Sequence, residues 1–140
     1  MFSEAVFPLY FDPNITFRLK YELAFAACNT LLHCKFEDAY TLLSSGQFLK
    51  IIVDVLKLQN KDKGGMLSRV ALDGTKNLFN LCEKQKRGRD ALEMPEDIRV
   101  EQIFTEFETL GGVDALEALQ EHEDHQIYTE AQQILLRFFE

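Results

Sequence analysis

Tryptophan is missing from this 140-residue chain, and cysteine, proline and glycine are scarce, at three, three and seven residues. Those scarcities exclude collagen-like, low-complexity and disulfide-dense chains. Cys28, Cys34 and Cys82 are odd in number and have no C-x-x-C spacing. Neither a disulfide framework nor a zinc knuckle is therefore expected, and the compartment reads as reducing. No apolar run approaches the roughly eighteen residues of a membrane span. The apolar opening from Met1 to Phe11 has no basic start, contains Glu4 and is cut by Pro8, which makes a poor signal peptide. An intracellular, soluble protein without a membrane partner is expected.

Basic charge is the other shortage. Fifteen Lys and Arg stand against 23 Asp and Glu, a net charge of −8. Neutralising phosphates needs a basic surface, so a protein that coats nucleic acid is excluded and a charged partner should itself be basic. The imbalance is local. Met1 to Leu92 carries 13 basic and 10 acidic residues, whereas Glu93 to Glu140 carries 2 and 13.

What the chain does have is 46% apolar residues, recurring at helical spacing almost throughout, with no clean period-two alternation. An all-α fold follows. The spacing predicts a helix over Phe17–Cys34, with Leu19, Leu23, Ala26, Ala27, Thr30, Leu31 and Cys34 as its apolar stripe and Asn14 or Thr16 as its cap. Two short helices are expected at Phe36–Leu43 and Gln47–Gln59, around a Ser44-Ser45-Gly46 turn. After the loop at 60–65, a long helix runs from Met66 to about Lys84. A polar break at Lys84–Arg89 and Met94-Pro95 precedes helices at Glu96–Leu110, Val113–Glu121 and about His125–Phe139, with Gly111-Gly112 as a turn.

Two short helices and a long one, repeating with a period in the forties, form the pattern of an armadillo or HEAT solenoid. The expected architecture is a right-handed armadillo-type α-solenoid of about two and a half units. An apolar cap segment (1–16) precedes the last helix of an incomplete repeat (17–35). A full repeat (36–84), a basic linker (85–95) and an acidic C-terminal repeat (96–140) follow. A repeat cut short leaves an apolar face bare. Either Phe2, Val6, Phe7, Leu9, Tyr10 and Phe11 fold over the first long helix, or two copies associate through it.

Two stretches resemble a known family. Phe17-Arg18-Leu19-Lys20-Tyr21-Glu22-Leu23-Ala24-Phe25-Ala26-Ala27-Cys28-Asn29 resembles the third-helix motif of importin-α armadillo repeats, with Phe25 where the family has Trp. Val70–Leu78 looks like the same helix of the penultimate repeat. The tail, from Gly111-Gly112-Val113-Asp114 through Leu119-Gln120-Glu121-His122-Glu123 and Ile127-Tyr128 to Phe138-Phe139, is similar to that family's closing segment. The resemblance spans about Phe17 to Phe139 and corresponds to the last three repeats of the family.

The resemblance implies binding of basic nuclear localisation signal peptides along the long helices. Glu22, Phe25 and Asn29 would form one rung, and Asp73 and Asn77 the next. A side-chain amide can both donate to and accept from an extended backbone, and an aromatic face flanks a cation. The resemblance further implies contacts of the acidic last repeat with a recycling exportin or nucleoporins, and residence in cytoplasm and nucleus. It also implies that the family's importin-β-binding segment and major cargo groove are not in this stretch, so the chain alone is no complete import adaptor. The alternative is an armadillo scaffold or self-associating domain with no import role.

No enzyme, cofactor or metal is expected. His122 and His125 can share a helix face but lack further ligands. His33 and Cys34 are adjacent and do not face each other on a helix. The glycine pairs lack the context of phosphate loops. Lys84–Arg89 reads as a solvated linker rather than a localisation signal or RNA contact.

Overall fold

The computed structural model describes residues 10–43, 47–58, 66–95 and 97–139, and those residues form seven helices and no strand. They are α1 (Phe17–His33), α2 (Phe36–Leu43), α3 (Gln47–Leu56), α4 (Met66–Ala91), α5 (Ile98–Thr109), α6 (Gly112–Leu119) and α7 (His125–Phe138). The expected turn at 44–46 and loop at 60–65 lie outside the described residues. Each helix packs against its counterpart in the next unit: α1 on α4, α2 on α5, α3 on α6 and α4 on α7. This pairing of like with like is what a stack of repeats requires, because each unit buries its apolar face only against its neighbours. The fold is an all-α solenoid.

Local chemistry sets the helix starts. The Thr16 hydroxyl accepts from the Leu19 N–H, Asp97 accepts from Arg99, and Asp124 accepts from Gln126 and Ile127. Each satisfies amides that a helix start leaves without a partner. Gly111, at φ 89°, turns the chain between α5 and α6, a conformation glycine adopts without steric cost.

Two expectations need correction. The stripe of α1 is rotated: Ala24, Ala27, Cys28 and Leu31 are buried, while Leu19 and Ala26 are exposed. α1 packs chiefly on α3 and α4, and the edge that carries Leu19 faces away from both. The linker expected at 85–95 is instead helical through Ala91. Lys, Gln and Arg are good helix formers, and one glycine at Gly88 costs only about 1 kcal/mol. The helix ends where the Met94 N–H reaches the Arg89 carbonyl and the Glu93 N–H that of Asp90, with Glu93 at φ 55°. This is the left-handed helix stop usually built on glycine.

Of the expected apolar segment, Tyr10 and Phe11 are described. Tyr10 is buried, its hydroxyl donates to Asp54 at 2.6 Å, and the Lys20 ammonium lies 4.9 Å from its ring centre. Phe11 packs partly buried against the core. Phe2, Val6, Phe7 and Leu9 lie outside the described residues.

A polar joint ties the two repeats together. Asp97, nearly buried, receives Arg99 at 2.6 Å and Gln85 at 3.0 Å. Arg99 also reaches Glu37 at 2.7 Å and lies over the rings of Phe36 and Tyr40. Chiefly through the Arg99 hydrogen bond, the Asp97 carboxyl is held well below the usual carboxylate range.

Gly74 marks the closest approach of α1 and α4. A Cβ there would lie 3.0 Å from the Cys28 carbonyl oxygen and 3.2 Å from the Leu31 Cβ. Overpacking costs about 1–3 kcal/mol, which outweighs a helix-propensity gain of roughly 0.5 kcal/mol. Gly74→Val should therefore lower the urea midpoint. Gly88, with open space around it, should respond oppositely, Gly88→Ala raising stability by up to about 1 kcal/mol; equal responses would contradict the close approach. For Asp97, whose carboxyl is lowered, the stabilisation is fully present above the ordinary aspartate value of about 3.9 and is lost as pH falls through the lowered value. Asp97→Asn should be less stable than the parent at pH 7, and the difference should shrink on acidification towards pH 2; a gap constant with pH would count against the joint.

Candidate functional site on the long helices

The three long helices lie side by side and parallel. Gly74 abuts Cys28 and Leu31, and Asn77 meets Leu31. From α4 to α7, Arg69 pairs with Asp124 and Glu83 with Arg137, both at 3.1 Å. Their order fixes a common direction, and the outward stripes of the helices form one continuous face.

On α1, Glu22, Phe25 and Asn29 fall three and four residues apart and so share one face of that helix. Glu22 is exposed and pairs only loosely with Arg18, at 3.7 Å. Phe25 is half-buried and stacks on Tyr21 at 6.5 Å. Asn29 is half-buried. On α4, Asp73 is exposed, and Asn77 one turn later is half-buried.

Asn77 has one partner within the fold. Its Nδ2 donates to the Leu31 carbonyl at 2.6 Å, in the last turn of α1, where helix carbonyls lack intrahelical partners. One donor of the amide thereby holds α1 to α4. Asn80, one turn on, has a buried Oδ1 with no hydrogen-bond partner among the described residues.

A further member of the face, Glu130 on α7, was missed from the sequence. Its carboxyl is raised by burial and then by the charge of Asp73, with which it shares a hydrogen bond; Lys76 and Gln126 act in the opposite sense. Two carboxylates from neighbouring helices thus meet on the face, and the site favours an added positive charge. The signal was hidden by register. A spacing of 48 from Asp73 leads to Glu121, in the turn before α7, whereas the α4 to α7 pairs are 54 or 55 residues apart.

Residues 101–140 match the family model of an atypical Arm repeat. The match covers the C-terminal 40 of the 140 residues. No curated protein matches the chain. With the stacked helices before it, the match supports a protein-interaction repeat module. Its Phe138-Phe139 pair packs around Phe79 of α4, at 5.3 and 5.5 Å. His122 closes the turn before α7, its Nδ1 accepting from the Asp124 N–H at 2.9 Å.

Among the described residues no group of three or more potential metal ligands forms, and no helix is long and apolar enough to cross a membrane. Burial pushes the Cys28 and Cys82 thiols up to about 12 and raises that of Cys34, which disfavours thiolates at neutral pH.

The acidic pair predicts a coupled titration. Removing the charge in Asp73→Asn should lower the Glu130 carboxyl towards the ordinary value of about 4.3, read by carbon-detected NMR of the side chain. An unmoved Glu130 would leave burial as the whole cause.

Proposed function

We propose that this armadillo solenoid is an importin-α-like module of nucleocytoplasmic transport that holds an extended basic peptide across α1, α4 and α7. The observation that carries the reading is the meeting of Asp73 and Glu130 on the long-helix face, an acidic site that a Lys or Arg side chain would relieve. Glu22 would take a second cation, and Phe25, stacked on Tyr21, would flank its aliphatic stem. Asn29 would bind the peptide backbone. Asn77 would contribute through its carbonyl oxygen, since one donor already serves Leu31. The sequence resemblance is what points to Glu22, Phe25, Asn29, Asp73 and Asn77. In this reading no cofactor takes part, and the module works in cytoplasm and nucleus. The acidic last repeat is the proposed contact for a recycling exportin or nucleoporins.

A scaffold that associates with itself along the exposed Leu19 edge of α1 is the competing reading. Titration of a fluorescent basic signal peptide separates the two. Saturable binding should weaken by about ten-fold in Glu22→Ala/Asn29→Ala, each lost charged or hydrogen-bonded contact being worth about 0.5–1.5 kcal/mol. Absence of saturable binding, together with a concentration-dependent dimer in sedimentation that Leu19→Lys abolishes, would favour the scaffold instead.

A further inference from the structure

The other pronounced groove avoids the long helices altogether. It has a volume of about 770 Å³ and runs between α2 and α5, with Tyr40 of α2 and Leu49 of α3 on one wall and Ile103 and Gln102 of α5 on the other. The Tyr40 hydroxyl donates to Gln102 at 3.1 Å and ties the walls together. Ile98 stands at the edge with 67% of its surface exposed, and Glu101 and Glu106 line the same groove. A second groove of about 500 Å³ shares Ile98 and Glu101 and adds Val100 and Phe104. The apolar ridge at Ile98 therefore has a concavity on either side.

Two of the cations nearby are already engaged, while Lys86 lines the second groove rather than the first. Arg99 is held by Asp97 and Glu37, and the Lys57 ammonium donates to the Leu110 carbonyl. Glu101 and Glu106 have no ion-pair partner among the described residues. An apolar surface beside uncompensated carboxylates complements a chain that is basic and carries an apolar side chain. α5 is 12 residues long, about 18 Å at 1.5 Å per residue, which accommodates about five extended residues or three turns of a helix.

We propose that the α2–α5 groove is a second docking surface, which takes a basic peptide segment anchored by an apolar side chain at Ile98. It is separate from the long-helix face and stands or falls independently of it. Rim charges of this kind act mainly on encounter and specificity, so binding should weaken as salt rises.

The test uses the full chain and a fluorescein-labelled twelve-residue peptide of alternating Lys and Leu, with a Glu/Leu peptide as the charge control. The Lys/Leu peptide should bind saturably at low salt and the control should not. Glu101→Lys/Glu106→Lys should weaken binding about ten-fold and Ile98→Ser about three-fold, while Glu22→Ala/Asn29→Ala changes it by less than about two-fold. Equal binding of both peptides, or a loss confined to the α1 variant, would overturn the proposal. Amide shifts in the unsubstituted protein provide a check free of any folding defect. Movement at Tyr40, Gln102 and Thr105 supports the groove; movement restricted to α1, α4 and α7 refutes it.

Discussion

The buried ring of Phe79 holds the two repeats as one body. It lies in the middle of α4 and meets Phe104 at 4.7 Å and Phe107 at 5.1 Å on α5, and Phe138 and Phe139 at the end of α7. Aromatic pairs at such separations add about 0.5–1.5 kcal/mol each beyond the area they bury. The cluster also dictates a residue far from it in sequence. A Cβ on Gly112 would lie 2.5 Å from the Phe107 ring, so the first residue of α6 must be glycine if Phe107 is to reach Phe79. The double glycine and the terminal aromatic pair, which stand out as a sequence motif, are thus two sides of one packing problem. Gly111 supplies the turn, Gly112 the space, and Phe138-Phe139 the far wall.

With α4 fixed in this way, the long-helix face follows. Gly74 allows α1 to come close, Asn77 bonds the carbonyl at the end of α1, and Arg69 and Glu83 pair with α7. The face is lined by side chains because the three backbones are held parallel. An extended ligand could meet equivalent positions at regular intervals. The joint at Asp97 works on the opposite side of α4, where Arg99 spans from the α5 cap to Glu37 of α2. The α2–α5 groove exists because this bridge and the Tyr40–Gln102 bond keep the two helices apart at a fixed spacing.

Much of this was legible in the sequence, and the failures have physical causes. The helix types, their order and the short, short, long pattern follow from apolar spacing, since repeats bury equivalent faces. Cap positions were legible at Thr16 because its hydroxyl precedes a periodic stretch. The end of α4 was not, since Glu93 rather than glycine takes the left-handed position and leaves no marker. The stripe of α1 was misplaced because periodicity finds an apolar arc but not which part of the arc has a neighbour. Asn77 and Glu130 depend on helix register across repeats. The α2–α5 contacts join residues 62 apart, longer than a period in the forties, because α4 extends to Ala91 before the chain turns.

The acidity of the last third also looks different once each carboxylate has a place. Asp97 and Asp124 are helix caps with arginine partners, Arg99 and Arg69, and are compensated within the fold. Glu130 and Asp73 face each other across α4 and α7, where burial and mutual repulsion raise Glu130. Glu101 and Glu106 line a groove beside which Arg99 and Lys57 are held by other partners. Net charge alone would suggest a single diffuse negative surface, screened within about 8 Å at physiological salt. Among the carboxylates placed here, the two proposed sites for a cation are separate, one on the long helices and one beside Ile98. Because the Arg99 bridge and the Phe79 cluster fix those places relative to each other, a basic partner long enough to reach both would bind as a tethered pair, the second contact strengthened by the effective concentration that the first provides.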